Sequence, residues 1–208
     1  MTGTYRLWWN DNTGAFAVDA ALALAGADVE RVHVATREGG SRTPEFLELN
    51  PLGQVPLLRL PDGTTMTESA AMLLHLAETF PGLAPPPGDP ARPRFLRLLM
   101  ILAAPVYEAE LRVSYPARYT ADAAGADGVR KSAAAFQDRL FALIADELGA
   151  KPWLAGGDAP SVLDPQLAML AKWYDGDSGR HALRAHRARL RSVPVLDALW
   201  RRYFPDAT

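Results

Sequence analysis

Two polar residues, Glu68 and Ser69, stand where a strand-like pattern gives way to a helical one. Main-chain amides at a helix N-terminus, together with the Ser69 hydroxyl, can bind a carboxylate, and the Glu68 carboxylate can meet an ammonium group. The same residues suit ordinary capping, in which Thr67 or Ser69 satisfies the amides and Glu68 complements the helix dipole. The pair predicts either a capped helix or a site for a ligand that carries both charges.

A second unusual position is Pro56, which follows Val55 inside a strand-like segment. Proline removes one hydrogen-bond donor from a strand, so an isolated proline at this place indicates an edge strand or a bulge. The resemblance described below gives this dipeptide a further interpretation.

The elements that must position these residues change character along the chain. The first 80 residues follow the order β-α-β, then a β-hairpin, then a helix, whereas residues 93–204 are almost wholly helical in pattern. A kink is expected at Pro105, and a capping box at Ser161–Asp164 precedes another helix. The predicted strands are 5–9, 29–34, 55–60 and 64–67. The other predicted helices are 15–25, a short one over 43–50, 68–80, 93–115, 129–148 and 195–204.

A proline-rich stretch separates these two halves. Six of the thirteen residues 81–93 are prolines, and such a sequence cannot continue a helix or a central strand. The prediction is therefore a domain over 1–81, a stiff exposed linker over 82–92 and an all-helical domain over 93–208.

Composition excludes several functional classes. The 208 residues carry 22 Lys and Arg against 24 Asp and Glu, so the net charge of −2 gives no reason to expect nucleic acid or an anionic membrane as partner. Cysteine is absent, which excludes a disulfide scaffold, a thiolate metal site and a cysteine nucleophile. No apolar run approaches the roughly 20 residues of a membrane span, and no signal peptide is evident, so we expect a soluble, cytoplasmic protein.

The sequence NPLGQVPLL at 50–58, the turn at Asp62-Gly63 and the Thr67-Glu68-Ser69 helix start resemble the glutathione-binding half of bacterial, cytosolic glutathione S-transferases. The linker, the helical second half and the Ser161–Asp164 box fit the same family, so the resemblance covers essentially the whole chain. It implies an α+β two-domain fold, with an N-terminal thioredoxin-like βαβ-ββα domain followed by an all-α helical-bundle domain. It also implies a homodimer and a role in detoxification.

The resemblance implies a cis bond between Val55 and Pro56, which would turn the Val55 main-chain N–H and C=O outward. An extended peptide such as glutathione could then pair with them as an added strand. Its γ-glutamyl end would lie at Glu68 and Ser69, and the Gln54 side chain either adds a hydrogen bond or is an ordinary surface glutamine.

The thiol of glutathione also needs a partner. Lowering a thiol pKa from about 8.5 to about 6.5 takes roughly 2.7 kcal/mol of thiolate stabilisation. The family supplies it with a Tyr, Ser or Cys after the first strand, but this loop has none, and Gly14 stands where some bacterial members carry cysteine. Thr13 is the first candidate, with the Asn10 and Asn12 amides as further donors, and Thr13 serves equally well as a helix cap.

The second substrate should contact the first long helix of the helical half. A group of aromatic and basic residues near the Pro116 break suits an apolar electrophile with a negative group, although each residue taken alone fits ordinary helix packing. The group comprises Tyr107, Leu111, Arg112, Tyr115, Arg118 and Tyr119.

These observations predict a glutathione transferase that adds the glutathione thiolate to a small electrophile, with glutathione as co-substrate and no metal. Two alternatives stay open. One is a non-catalytic glutathione-binding or protein-interaction module on the same fold, which the missing Ser, Cys or Tyr favours. The other is a glutathione-dependent isomerase or peroxidase, since peroxide reduction needs no protein cysteine when glutathione is the reductant.

Overall fold

The computed structural model describes residues 3–205, which form four strands and nine α-helices. The strands are β1 (Tyr5–Trp9), β2 (Val29–His33), β3 (Leu57–Arg59) and β4 (Thr65–Met66). The helices are α1 (Ala15–Leu24), α2 (Pro44–Leu49), α3 (Ser69–Thr79), α4 (Arg92–Ile101), α5 (Tyr107–Ser114), α6 (Ala126–Leu148), α7 (Leu163–Trp173), α8 (Arg180–Arg191) and α9 (Pro194–Tyr203).

The four strands form one mixed sheet in the order β2-β1-β3-β4. Strand β1 pairs in parallel with β2, with Trp9 opposite His33, and antiparallel with β3, with Trp8 opposite Leu57. Strand β4 pairs antiparallel with β3. The chain therefore has the predicted thioredoxin-like order, and the ends of β1, β2 and β4 lie at the same edge of the sheet as the start of β3.

Helix α1 is an alanine-rich helix that is buried on almost every side. Residues 15–22 are all buried, because the helix packs on β1, α3 and α9. The one charged residue among them is Asp19. The helix gives way to Gly26, whose φ of 64° lies in the left-handed region that glycine adopts without steric cost.

The contacts of the chain divide it into two compact units. The first takes the described residues up to Pro86 and again from Arg191, and the second is Pro87–Leu190. The division between Pro86 and Pro87 falls inside the predicted 82–92 linker. The predicted helical domain, 93–208, includes α9, which packs on α1 and lies in the first unit. The three sequence-derived domain ranges stay predictions.

The first long helix of the second unit is interrupted where the sequence predicts a kink. Residues Leu102–Val106 form a π-helical stretch that contains Pro105 and joins α4 to α5. Proline has no N–H to donate, and its ring clashes with the carbonyl one helical turn earlier, so the regular helical hydrogen-bond pattern cannot continue through it.

Residues 3–205 lack two features that would indicate other classes of protein. None of the helices there is long and apolar enough to cross a membrane. No group of three or more His, Asp or Glu side chains in that range could hold a metal ion.

The predicted capping box at Ser161 is present and is completely buried. Asp164 Oδ2 accepts hydrogen bonds from the Ser161 amide (2.7 Å) and hydroxyl (2.8 Å). Asp164 Oδ1 accepts from the Leu154 amide (2.7 Å) and lies 2.9 Å from His186 Nε2. One carboxylate thus joins the start of α7 to the preceding loop and to α8.

Replacing Asp164 by alanine should lower the free energy of unfolding by about 3 kcal/mol, because several buried donors lose their acceptor together. Urea denaturation followed by circular dichroism measures this loss. Asp146→Ala, at an exposed position on α6, is the matched control and should change it by less than about 0.5 kcal/mol. Equal midpoints for the two variants would contradict a structural role for the buried carboxylate.

Candidate functional site

Three segments that the sequence singles out end at the same edge of the sheet. Loop 10–14 follows β1, the Val55-Pro56 dipeptide precedes β3, and Glu68 and Ser69 follow β4. Because Trp8 is opposite Leu57 in an antiparallel pair, the residues that precede Leu57 run beside those that follow Trp8. The sheet therefore brings together loop 10–14, the peptide-binding candidate Val55 and the start of α3.

The loop that carries Val55 is held by a buried asparagine. Asn50, 2% exposed, donates from Nδ2 to the Gln54 carbonyl (2.8 Å) and accepts at Oδ1 from the Leu52 amide (3.1 Å). Gly53 within this loop has a φ of 60°, and a Cβ there would lie 2.7 Å from the Ser41 carbonyl oxygen. A side chain at this position would therefore collide with the neighbouring backbone, which only glycine avoids.

Val55 is joined to Pro56 by a cis peptide bond, as the resemblance implied. Its side chain packs on the core cluster formed by Trp8, Val34, Phe46 and Leu57. Val55 lies outside the strand ladders, and no described residue makes a hydrogen bond to its main chain. The Gln54 side chain is exposed next to it.

Helix α3 begins without a side-chain cap. Glu68 occupies the capping position with φ 64° and ψ 103°, and neither it nor Ser69 makes a side-chain hydrogen bond to the amides of the first turn. Glu68 is exposed and Ser69 half-buried. Capping by Thr67 or Ser69, one of the two interpretations open from the sequence, is therefore not used. The first-turn amides, which no helical carbonyl can reach, lie at the sheet edge beside Val55.

The loop after β1 is organised by Asn10, which is 8% exposed. Its Nδ2 donates to Thr36 Oγ1 (2.6 Å), and its Oδ1 accepts from the Asp11 amide (2.8 Å) and lies 2.9 Å from His33 Nε2. The side chain of Asn10 thus links the end of β1 to the end of β2. Its amide is engaged inside the protein, which favours a positioning role for it over a direct contact with sulfur.

Thr13 and Asn12 complete this loop. The Thr13 hydroxyl donates to the Asn10 carbonyl (2.7 Å) and accepts from the Ala15 amide (3.4 Å). Thr13 is not the cap of α1, since the capping position is Gly14 and has no side-chain cap hydrogen bond. The Thr13 hydroxyl makes its contacts one residue before that position. Asn12 is exposed, has a φ of 52°, and donates its main-chain N–H to the Tyr203 carbonyl (2.9 Å).

The aromatic and basic group in the second unit forms two stacked pairs. The Arg112 guanidinium lies 4.7 Å from the Tyr119 ring centroid, and that of Arg118 lies 4.1 Å from Tyr115. Arg112 also pairs with Glu108 at 3.1 Å, as helical spacing predicts. The structure therefore brings four of the six predicted substrate residues into cation–π pairs around the end of α5.

The other two residues of that group, Tyr107 and Leu111, are half-buried on the same helix. The Tyr107 ring meets the Trp173 ring edge-on, with a centroid separation of 5.9 Å. Burial, followed by the charge of Glu110, raises the pKa of Tyr107 to about 12. Its hydroxyl therefore stays protonated at physiological pH and can act as a hydrogen-bond donor.

Comparisons with known proteins agree with this arrangement. A family model described as the N-terminal domain of glutathione S-transferase matches residues 15–79. The uncharacterized GST-like protein YncG of Escherichia coli (strain K12) is 35% identical over 166 residues, which are 78% of each chain.

The chain belongs to the glutathione S-transferase family.

Two further similarities extend the comparison. A sphingomonad glutathione S-transferase, solved in complex with glutathione, is 29% identical, with a TM-score of 0.78 over 95% of this chain and 98% of the other. The maleylacetoacetate isomerase of Pseudomonas aeruginosa is 39% identical over 83 residues, 39% of each chain. The fold of this family member, a thioredoxin-like domain followed by a helical one, is confirmed.

Sequence reasoning missed the residues that hold the site loops of this transferase-family protein. Asn50 was part of the motif but was given no role, and the partners of Asn10, Thr36 and His33, were not identified. The Asn-Pro-Leu-Gly order does indicate the role of Asn50, because the side chain of an asparagine before a turn can form hydrogen bonds with the main chain of the residues that follow it. The contacts of Asn10 had no comparable local signal, because Thr36 is 26 residues away.

Glu68 is one of two non-glycine residues with a positive φ among residues 3–205. Such a conformation costs of order 1 kcal/mol and persists only where the surroundings impose it, often at a binding site. Glu68→Gly should therefore raise the free energy of unfolding by about 0.5–1 kcal/mol, measured by urea denaturation. Glu68→Ala is the control, because alanine keeps the strained backbone and should not raise the free energy of unfolding. Equal free energies of unfolding for the two variants would contradict backbone strain at this position.

Proposed function

We propose that this protein binds glutathione at the shared edge of the sheet and adds its thiolate to a small electrophile. One observation carries the proposal. The main chain of Val55 has no hydrogen-bond partner in residues 3–205, and it lies at the same edge as the uncapped amino end of α3. These are two complementary features, one suited to the backbone of an extended peptide and the other to a carboxylate.

The peptide backbone of glutathione would pair with Val55 as a short added strand, with Gln54 available for a further hydrogen bond. The γ-glutamyl carboxylate would bind the first amides of α3 and the Ser69 hydroxyl. The ammonium group at the same end of the ligand would meet Glu68, whose left-handed backbone places it at the mouth of that helix. Both charges of the γ-glutamyl end are thereby matched.

The sulfur would lie at the loop after β1 and the amino end of α1. The positive end of that helix favours a thiolate over a thiol. Thr13 and Asn12 are the side chains of the loop proposed to assist, and Asn10 holds the loop in shape. The single O–H of Thr13, which donates to the Asn10 carbonyl in this structure, would turn to the sulfur when glutathione binds. The thiol proton leaves to solvent, the thiolate forms a carbon–sulfur bond, and the electrophile either expels a leaving group or takes up a proton.

The electrophile would contact the α5 group, comprising Tyr107, Leu111, Arg112, Tyr115, Arg118 and Tyr119. Its rings offer apolar contact, and its two arginines favour a substrate that carries a negative charge. Exposure of Tyr115, 48%, leaves part of this group open to solvent.

A second reaction is favoured by the likeness to maleylacetoacetate isomerase. In a glutathione-dependent isomerisation, the thiolate adds to a conjugated cis double bond, the resulting single bond rotates, and the thiolate leaves. Glutathione is then recovered unchanged, so consumption of glutathione distinguishes this reaction from conjugation. The arginines of the α5 group suit an acidic substrate of this kind as well.

Ser69→Ala should raise the dissociation constant for glutathione about tenfold, because a hydroxyl bond to a charged carboxylate contributes about 1.5 kcal/mol. Isothermal titration calorimetry measures the change. Ser132→Ala, at an exposed position on α6, is the control and should bind as the unaltered protein does. Equal affinities of both variants would remove Ser69 from the site.

Thr13→Ala should lower the rate of glutathione conjugation to a generic aryl halide more than it lowers glutathione affinity, since Thr13 is assigned to the sulfur end. Ultraviolet absorbance of the bound thiolate gives an independent reading. If the unaltered protein binds glutathione but forms no thiolate, the protein is a binding module. If Thr13→Ala leaves the rate unchanged, the Thr13 hydroxyl serves only its hydrogen bonds within the loop.

A further inference from the structure

The last turn of α9 contacts the loop proposed to face the sulfur. The Tyr203 carbonyl accepts a hydrogen bond from the Asn12 main-chain N–H at 2.9 Å. The Tyr203 ring is fully buried, 4.7 Å from the Trp9 ring and 5.7 Å from the Phe16 ring between centroids. Trp9 immediately precedes the loop and Phe16 lies in the first turn of α1. One residue, 191 positions along the chain from Asn12, thus contacts the loop and both of its flanks.

Tyr203 is itself fixed by a buried carboxylate. Its hydroxyl donates to Asp19 Oδ2 at 3.1 Å, and Asp19 has no exposed surface. The Arg31 guanidinium donates three further hydrogen bonds to the same carboxylate, at 2.7–3.0 Å. A buried charge with this many partners allows little movement, because every displacement leaves a donor or acceptor unpaired in the interior.

The ionisation of Tyr203 does not interrupt this network at physiological pH. Burial, followed by the charge of Asp19, raises the pKa of Tyr203 above its ordinary value. The hydroxyl therefore remains a donor to Asp19.

The Asn12 backbone has a conformation that few non-glycine residues adopt. Its φ of 52° lies in the left-handed region, which asparagine enters more readily than most residues, and Asn12 is exposed, so its side chain is not held by burial. The hydrogen bond to the Tyr203 carbonyl holds the Asn12 amide in this orientation. The chain then enters Thr13 and the first turn of α1 along one path.

We propose that Tyr203 is a positioning residue for the glutathione sulfur, acting through Asn12 and the start of α1. This inference rests on the proposed function and deepens it. Small errors in the position of a stabilising group carry large losses in rate, because its electrostatic effect depends on distance and direction. Loosening Tyr203 should therefore reduce thiolate stabilisation while leaving the γ-glutamyl contacts at α3 unchanged.

Tyr203→Phe tests this inference, since it removes the bond to Asp19 and keeps the ring. The measurement is the thiolate absorbance of glutathione bound to the full-length protein, followed as a function of pH. We expect the pKa of the bound thiol to rise by about 0.5–1. At pH values below that pKa, this rise is a threefold to tenfold loss of thiolate. The kcat for conjugation should fall by about the same factor at neutral pH and recover at higher pH. The dissociation constant for glutathione should stay within about twofold of that of the unaltered protein.

Tyr5→Phe is the matched control. Tyr5 is also buried in the first unit, at 1% exposure, and its hydroxyl has no hydrogen-bond partner within residues 3–205. The substitution therefore removes the same atom from a similar environment without breaking a bond. It should leave the thiol pKa, kcat and glutathione affinity unchanged.

A second variant, Arg31→Lys, keeps the charge but loses the two-pronged contact with Asp19, and should shift the thiol pKa in the same direction. It serves if Tyr203→Phe does not fold, which thermal unfolding will show. The inference is overturned if the variants that fold leave the thiol pKa unchanged, or if affinity and kcat fall in equal proportion. If the unaltered protein takes up no glutathione, the proposed function itself fails, and the inference fails with it.

Discussion

The candidate site depends on the pairing of strand β1 with both of its neighbours. The register that places Trp8 opposite Leu57 and Trp9 opposite His33 fixes where each strand begins and ends. Moving either register by one residue would turn every side chain of that strand to the opposite face of the sheet, so the buried faces resist such a slip. Loop 10–14, the Val55-Pro56 dipeptide and the start of α3 meet at one edge because of this pairing.

Two of the site loops are in turn held by buried polar side chains. Asn50 bonds the backbone of the loop before Val55, and Asn10 ties the end of β1 to residues after β2. Asp19 does the same at longer range, because Arg31 and Tyr203 both donate to it. Buried polar groups stabilise a fold only when all their partners are present, which gives these loops a single arrangement rather than several. The positive φ of Asn12 occurs two residues after Asn10.

Much of the fold could be predicted from local patterns. The order of strands and helices, the interruption at Pro105, the capping box at Ser161 and the cis bond before Pro56 all follow from short stretches of sequence or from the family resemblance. Predicted ends differ by a few residues; for example β3 spans only Leu57–Arg59, where a strand over 55–60 was expected. Pairing partners, not residue type, decide where a ladder stops.

What local patterns could not supply are the contacts between distant parts of the chain. Tyr203 meets Asp19 across 184 residues, and Asn10 meets Thr36 across 26. The hydroxyl of Thr13 and the amide of Asn10 looked available to a thiol in the sequence, and their actual partners are visible only in the folded chain. The positive φ of Glu68 is similarly a product of the β4–α3 junction, since glutamate itself has no preference for it.

The proposed mode of binding lays glutathione along Val55, with its γ-glutamyl end at the start of α3. Its most direct test is a titration of the isotopically labelled protein with glutathione, followed amide by amide by nuclear magnetic resonance. We predict saturable shifts by millimolar glutathione at the amides of Val55 and of residues 69–71, with those of α6 unmoved. Unchanged amides at Val55 and 69–71 throughout that titration, or shifts confined to other surfaces, would contradict this mode of binding.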